Sequence, residues 1–174
     1  MCAVVTPRGG PHPAVLTVLT GDGLALAACR RHAKYIRAHT ASYAAFADSV
    51  LPVIEAGRAE LVEMDKTIHR HLDDSLWLEP APGHTPGHVT VHAKGRNGSA
   101  VLCGDVIHHP IQFHEPQLSN NGDLDPVQAI ASRNRMLQQC VASHAVLLTG
   151  HFPAPTSGYV TEDGDGFRFR FKSD

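Results

Sequence analysis

The sequence predicts a mixed α/β domain, of the α/β or α+β class, in which strands and helices alternate along the chain. From residue 58 onward, apolar runs bounded by turn formers indicate the order strand, strand, hairpin, helix, strand, hairpin. Polar clusters follow three of these strands, at Pro82–His88, Gly104–His109 and Gly150–His151. Because the ends of neighbouring strands converge when the strands share a sheet, we expect the three clusters to meet at one edge.

The elements of the first half of the chain are predicted from weaker patterns. Ala14–Ala28 alternates weakly around two glycines, which is typical of a hairpin. Ser42 is a candidate N-cap for a helix that ends at Gly57. Strands are predicted at Glu60–Met64 and Ser75–Glu79, which are rich in apolar residues.

The second half carries clearer patterns. Val89–Ala93 and Ser99–Cys103, joined by a turn that contains Asn and Gly, predict a hairpin. Asp125 is the predicted N-cap of a helix that has Pro126 at its first position. The predicted apolar face of this helix consists of Val127, Ile130, Leu137 and Val141. The last predicted strands are Ala145–Thr149, which is continuously apolar, and the hairpin of Tyr159–Glu162 and Phe167–Phe171.

Composition excludes several classes of protein. A chain of 174 residues suits one compact domain, and 43% hydrophobic with 18% charged residues is typical of a globular protein. A net charge of -2 gives no electrostatic argument for binding nucleic acid or an anionic membrane. No apolar run approaches the roughly 20 residues that span a bilayer, and the N-terminus lacks the pattern of a signal peptide. Four scattered cysteines without a CxxC pair indicate reduced thiols, so we expect a cytoplasmic protein.

The three polar clusters carry residue types that bind metals. Turn formers surround His88 in the loop GHTPGH, and such a rigid loop can hold an imidazole in a fixed direction. Asp105 ends an apolar strand, where a carboxylate is costly unless it is paired or binds a metal. His151 ends another apolar strand in the same way. The sequence therefore predicts a metal site at the sheet edge.

The ordered set GHTPGH, GD and GH resembles the second half of the metallo-β-lactamase superfamily. The run LEPAPGHTPGHVTVH is especially similar to the lactonase-like hydrolases of that family, and the resemblance extends over roughly residues 42–171. It implies an αββα sandwich of which this chain holds the second half and part of the first. Residues 1–40 would be a poorly defined N-terminal segment, and residues 41–174 the C-terminal portion of the domain.

The same resemblance implies the roles of individual residues. His88 would bind a first zinc, Asp105 would bridge two zincs and orient the nucleophile, and His151 would bind the second zinc. His84 matches a loop residue that is not a ligand. Two such zincs, roughly 3.5–4 Å apart, lower the pKa of a bridging water, which would attack an ester, lactone, amide or phosphoester of a small molecule. His108 and His109 lie in the loop that lines the mouth of the site in this family, so they are either substrate contacts or solvated surface residues.

One family motif is missing from the printed sequence. We find no HxHxDH, which supplies the other metal ligands, and His69–Asp74 reads HxHxDD instead. A variable strand and turn is the better interpretation of that segment. The alternatives to an active zinc hydrolase are therefore a truncated, catalytically inactive remnant and a half-fold that needs a partner. The partner would be another chain or a second copy bound through an exposed sheet face.

Other catalytic classes have no support in the sequence. There is no GxSxG for a serine hydrolase, and no GxGxxG or GxxxxGK[ST] for nucleotide binding. Cys103 precedes the GD pair on an apolar strand, so we interpret it as a small core residue and not as a nucleophile.

Overall fold

The computed structural model describes residues 2–5, 15–20, 23–29, 55, 59–62 and 76–172. The mixed α/β class that the sequence predicts is confirmed, since these residues include two sheets and an 18-residue helix. Within the described ranges, none of the helices has both the length and the apolar character needed to cross a bilayer.

A four-stranded sheet contains the N-terminal strands. These are β1 (Cys2–Val5), β2 (Val15–Thr20), β3 (Gly23–Cys29) and β4 (Ala59–Val62), in that order across the sheet. β2 and β3 pair antiparallel, which confirms the predicted hairpin, whereas β3 and β4 pair parallel. The predicted helix that begins at Ser42 falls outside the described residues except for Glu55, which is helical. His69–Asp74 also lies outside them, and the predicted boundary at residue 40 stays a prediction.

A six-stranded sheet carries the rest of the chain. Its strands are β5 (Leu76–Pro80), β6 (Val89–Gly95), β7 (Gly98–Leu102), β8 (Val146–Leu148), β9 (Ser157–Asp163) and β10 (Gly166–Phe171). Their order across the sheet is β10-β9-β8-β7-β6-β5. β7 and β8 are parallel, and every other neighbouring pair is antiparallel. The predicted central hairpin, the buried strand and the C-terminal hairpin are therefore confirmed.

A single 3-10 turn (Gly104–Val106) and two α-helices lie between β7 and β8 along the chain. α1 (Ile111–His114) is a single turn, and α2 (Pro126–Ser143) is the long crossover that a parallel strand pair requires. α2 begins as predicted, because the Asp125 carboxylate accepts a hydrogen bond from the Gln128 backbone N–H at 3.0 Å.

The predicted buried face of α2 is partly wrong. Val127 is 78% exposed, and Ile130 and Val141 are only half-buried, whereas Leu137 is buried as expected. The buried residues of α2 are Ala129, Ser132, Arg133, Met136, Leu137 and Cys140. They form a stripe of helical period that contains a serine and an arginine. The buried face therefore cannot be located from the apolar residues alone.

The core of the described region is formed by side chains of the six-stranded sheet, of α1 and α2, and of the loops that follow β7 and β8. Phe113 of α1 stacks on Phe169 of β10 at 4.8 Å between ring centroids, and Phe152 meets both rings edge-on. Cys103 and Cys140 are fully buried in this cluster, which agrees with the interpretation of Cys103 as a core residue. This packing fixes the two loops that follow β7 and β8.

Candidate metal centre

The sheet topology brings the three polar clusters to one edge. β7 and β8 are parallel, so the residues that follow them, Asp105 and His151, leave the sheet at the same edge. β6 is antiparallel to β7, so His88, which precedes β6, lies at that edge too. The Cys103 backbone N–H donates to the Leu148 carbonyl at 3.1 Å and extends the pairing to this edge.

The Asp105 carboxylate, which is buried, lies at the middle of the cluster. Its Oδ1 is 2.7 Å from His151 Nε2, and its Oδ2 is 3.9 Å from His88 Nε2. His88 Nε2 also accepts a hydrogen bond from the Asp105 backbone N–H at 2.9 Å. The structure thus brings together the three residues that the sequence singled out, and their role as ligands stays a prediction.

Two further histidines contact the same carboxylate. His84 Nε2 is 4.0 Å from Asp105 Oδ2, and His108 Nε2 is 3.7 Å from Asp105 Oδ1. One potential ligand atom from each of His84, Asp105 and His108 lies within 4.8 Å of the others. Histidine nitrogens and carboxylate oxygens at this spacing suit a divalent cation. The family resemblance implies that His84 is not a ligand, and the structure adds it as a candidate.

Asp123 orients the ring of His84. The Asp123 side chain is buried, and its Oδ1 is 3.1 Å from His84 Nδ1. Its Oδ2 accepts hydrogen bonds from Ser119 Oγ at 2.9 Å and from the Asn120 backbone N–H at 3.1 Å. Because an ionised carboxylate only accepts hydrogen bonds, His84 Nδ1 is the donor in this contact, and Nε2 lies on the side of Asp105. Asp123 is a second residue of the site that the sequence analysis missed.

His108 and His109 are adjacent but have different surroundings. Both backbone N–H groups donate to Gln112 Oε1, at 2.8 Å and 3.2 Å. The His108 ring stacks on His151 at 4.4 Å between centroids, and its Nδ1 is buried with no hydrogen-bond partner. His109 is exposed, and its Nδ1 accepts from the Ile111 backbone N–H at 3.1 Å. His108 therefore belongs to the cluster, while His109 stabilises the start of α1; contact of either with substrate stays a prediction.

Burial and mutual contacts shift the pKa values in the cluster. Burial alone would raise the pKa of Asp105, but the hydrogen bond from His151 and the charges of the surrounding histidines hold it below its ordinary value. Burial, together with the charge of His151, lowers the pKa of His108 to about 4. At neutral pH the centre therefore combines an ionised carboxylate with a neutral imidazole. Those are the protonation states that metal binding requires.

Arg133 of α2 holds the loop that carries the cluster. Its buried guanidinium donates hydrogen bonds to three backbone carbonyls, those of Val106 (2.9 Å), Pro116 (2.8 Å) and Leu118 (2.6 Å). Its Nη2 lies 3.8 Å from Asp123 Oδ2. A buried cation is stable only when paired and hydrogen-bonded, and these contacts satisfy that requirement while they fix the loop between β7 and α2.

Two glycines allow the close approaches at the centre. Gly83 has φ +137°, and a Cβ there would meet the Ala129 backbone N at 2.1 Å, so the GHTPGH loop packs directly on α2. Gly104 has φ +54°, and a Cβ there would lie 2.8 Å from His88 Nε2. Both positions therefore need glycine for conformation and for space.

The fold of this chain is shared with solved lactonases and hydrolases. No protein-family profile matches the sequence, and no curated sequence does. AidC, a dizinc quorum-quenching lactonase whose structure contains the product N-hexanoyl-L-homoserine, is similar with a TM-score of 0.61 and 25% identity. The alignment covers 80% of this chain and 47% of AidC.

Two other solved structures are similar at lower identity. The hydrolase AbOPH of the beta-lactamase superfamily has a TM-score of 0.66 and 22% identity, with 82% of this chain and 48% of AbOPH covered. An N-acyl homoserine lactone hydrolase, with N-hexanoyl-L-homoserine at its catalytic metal centre, has a TM-score of 0.55 and 20% identity. That alignment covers 72% of this chain and 46% of the hydrolase. The chain thus spans about half the length of the structures it matches.

Proposed function

We propose that this chain, which shares part of the metallo-β-lactamase fold with dizinc lactonases, contributes the catalytic centre of a metal-dependent hydrolase. The similarity to that family inferred from GHTPGH and the GD and GH pairs agrees with the shared fold. The observation that carries the proposal is the convergence of four imidazoles on the buried carboxylate of Asp105.

The residues present suit a divalent cation. The centre offers histidine nitrogens and one carboxylate, which are the ligands that zinc uses, and iron and manganese accept the same donors. The orientation of His84 by Asp123 matches the carboxylate–histidine arrangement found behind metal ligands. A metal ion bound here would supply Lewis acidity and lower the pKa of a water molecule toward neutrality.

The side chains at the centre would then orient the attacking water and contact the substrate. Asp105, ionised at neutral pH, would accept a hydrogen bond from the attacking water and orient it toward the substrate. His108, half-buried beside Asp105, would contact the substrate or bind the metal. Asp105 is buried, so it would be kept from bulk water and its electrostatic interactions with the substrate and the water would be stronger.

A lactone or another ester is the substrate class to test first, because the similar structures include lactonases. The competing proposal is an inactive chain, or one that works only with a second chain or copy. The observation that favours it is that the alignments leave about half of each similar structure uncovered.

The test combines metal analysis with turnover. The purified chain is loaded with zinc, its metal content is measured in each oligomeric fraction, and a lactone and an aryl ester are assayed with and without chelator. The proposal predicts chelator-sensitive turnover that Asp105→Asn abolishes. Asp163→Asn is the matched control, since Asp163 forms a surface ion pair with Arg168 on the C-terminal hairpin.

Each outcome selects one proposal. Metal without turnover supports the inactive chain, and metal and turnover confined to an oligomeric fraction support the half-fold with a partner. Turnover that survives both chelator and Asp105→Asn would contradict a metal-dependent mechanism.

A further inference from the structure

Three side chains of α2 attach β5 and the start of the GHTPGH loop to the helix. β5 lies at one edge of the six-stranded sheet and pairs there with β6. The donors share one face of α2: Ser132 Oγ donates to the Pro82 carbonyl at 2.7 Å, Arg135 to the Pro80 carbonyl, and Gln139 Nε2 to Glu79 Oε1 at 2.6 Å. We call this row of hydrogen bonds the α2–β5 contact.

A buried histidine faces one carboxylate of the α2–β5 contact. His92 of β6 is 7% exposed and pairs across the strands with Trp77 of β5. The Trp77 indole stacks on the imidazole with 5.3 Å between ring centroids and 22° between the planes. His92 Nε2 is 2.9 Å from Thr90 Oγ1 and 3.4 Å from Glu79 Oε2. β5 therefore covers His92 with an aromatic ring and a carboxylate.

Glu79 connects His92 to the helix. Its Oε2 faces His92, while its Oε1 accepts from Gln139 and lies 3.8 Å from Arg135 Nε. Among the described residues, Glu79 and Arg135 are the charged groups that face this cluster. The Cys140 thiol of α2 also interacts with Glu79, but burial raises its pKa to about 12 and keeps it neutral. A charge on His92 would therefore act on a carboxylate that also holds α2.

His92 is neutral at neutral pH while β5 covers it. Burial lowers the pKa of His92 below its ordinary value of 6.5, although the charge of Glu79 raises it. When β5 separates from the sheet edge, the imidazole meets water and its pKa returns to about 6.5. Between those two values the open form takes up a proton that the closed form excludes, so a fall in pH favours the open form. Local opening of this kind costs less free energy than unfolding of the whole domain.

We propose that Trp77, His92 and Glu79 form an acid-sensitive latch, which holds β5 on the sheet edge and on α2 at neutral pH and releases it as the pH falls. Release would reach the candidate metal centre, because β5 continues into the GHTPGH loop, whose Pro82 carbonyl belongs to the α2–β5 contact. That loop also carries His84, so release loosens a segment of the centre. The proposal holds with or without metal binding or hydrolysis, because it concerns contacts outside that centre.

Fluorescence measures the protonation of His92. Trp77 is the only tryptophan of the 174-residue sequence. A protonated imidazole in contact with an indole quenches its emission, so a pH titration of the full chain in chelator should show a transition with a midpoint below pH 6.5. His92→Phe keeps an aromatic ring against Trp77 and cannot titrate, so it should abolish the transition. His114→Gln should keep it, because that side chain is 60% exposed on α1.

Hydrogen exchange measures the release of β5. The protection of amides in β5 and the GHTPGH loop, corrected for the intrinsic effect of pH, should fall at least about threefold between about pH 7.5 and pH 5. The size of the fall should agree with the fluorescence midpoint, since each pKa unit below 6.5 allows at most about a tenfold change. The response of β5 should be steeper than that of β9 and β10, at the opposite end of the sheet. His92→Phe should remove this difference.

Glu79→Gln tests the sign of the mechanism. It removes the charge that favours a protonated His92 in the closed form, but it leaves an amide that Gln139 can bond. The fluorescence midpoint should therefore move to lower pH, and the loss of β5 protection in acid should become larger.

Circular dichroism checks that each variant folds, and His92→Gln takes the place of His92→Phe if the latter does not. The latch is overturned by a wild-type protein without the fluorescence transition, or with a midpoint at or above pH 6.5. It is also overturned by an unchanged β5 response in the variant that cannot titrate. Parallel loss of protection in β5, β9 and β10 would contradict it too, because that result indicates unfolding of the whole domain.

Discussion

The His151 imidazole contacts the Asp105 carboxylate at 2.7 Å, although the two residues are 46 positions apart in the sequence. The contact exists because β7 and β8 are parallel neighbours, so that both residues follow their strands at the same edge. α2 supplies the crossover between them and also the arginine that fixes the intervening loop. The geometry of the centre and the stability of the fold are therefore coupled, and both can be measured.

Metal should stabilise the folded chain through Asp105. Bound metal at about 100 times its Kd adds roughly 2.7 kcal/mol to the free energy of unfolding, which raises Tm by several degrees. Asp105→Asn should remove this gain, because the carboxylate is central to the cluster. Thermal unfolding with zinc and with excess chelator measures it, and an equal zinc-dependent rise in the variant would exclude Asp105 as a ligand.

Replacing Arg133 should destabilise the fold strongly. Arg133→Met leaves the Val106 and Pro116 carbonyls without their donor, while Leu118 keeps the Gln112 amide. It also removes the guanidinium 3.8 Å from Asp123, and we expect a total cost of about 3–5 kcal/mol. Arg135→Met, two residues along the same helix and exposed, should cost less than about 1 kcal/mol. Urea unfolding monitored by circular dichroism compares the two, and equal losses would show that the Arg133 contacts contribute little.

Gly83 should tolerate alanine much less well than Gly98. Both have φ near +140°, at +137° and +147°, but a Cβ at Gly98 meets nothing within 4 Å whereas a Cβ at Gly83 collides with Ala129. Gly98→Ala should therefore cost about 1–3 kcal/mol of backbone strain. Gly83→Ala should add at least about 1–3 kcal/mol for the steric clash and should also shift His84. Chemical denaturation of the pair isolates the clash, and similar midpoints for both variants would argue against this packing.

Cys103 and Cys140 should resist alkylation while the protein is folded. Burial raises the pKa of each thiol to about 12, so almost no thiolate forms at pH 8 and the sulfur is also inaccessible. Iodoacetamide treatment followed by peptide mass spectrometry should find both unmodified in the native chain and modified in guanidinium chloride. Rapid labelling of Cys103 in the native chain would contradict its assignment as a core residue and would support a nucleophilic role.

The metal-free protein should lose stability as the pH falls from about 6.5 to about 4. His108 has an ordinary pKa of 6.5 and a folded pKa of about 4, so in this window the unfolded chain binds a proton that the folded chain excludes. The free energy of unfolding should drop by about 1–3 kcal/mol across the window. His108→Gln should flatten this slope. Urea midpoints at several pH values in chelator measure it, and an unchanged slope in the variant would assign the titration to another group.

Local sequence signals were sufficient for most of the six-stranded sheet and its helix. The Asp125 cap and the turn between β6 and β7 are determined by residues close in the sequence, so both are predictable. The buried side of α2 was harder to predict, since Arg133 is buried against the carbonyls of a loop distant in the sequence, while Val127 is 78% exposed. Which face of a helix is buried depends on tertiary contacts, and these cannot be read from a single sequence.

The candidate centre was predictable in outline. The strand-end positions of Asp105, His88 and His151 follow from the alternation of strands and polar clusters, and the structure brings them together. The participation of His84 depends on Asp123, 39 residues away, and on a loop conformation without a periodic signal. No spacing rule links those two positions, which is why the orienting carboxylate was missed.

Within the part of the chain that the structure describes, the side chains that contact Asp105 come from one continuous stretch between His84 and His151. This stretch contains β6, β7 and β8, which are consecutive strands of the sheet. A single recombination event could therefore transfer the assembled cluster, with its supporting helix, from one gene to another. The same continuity makes the segment a practical cassette for grafting onto a designed scaffold.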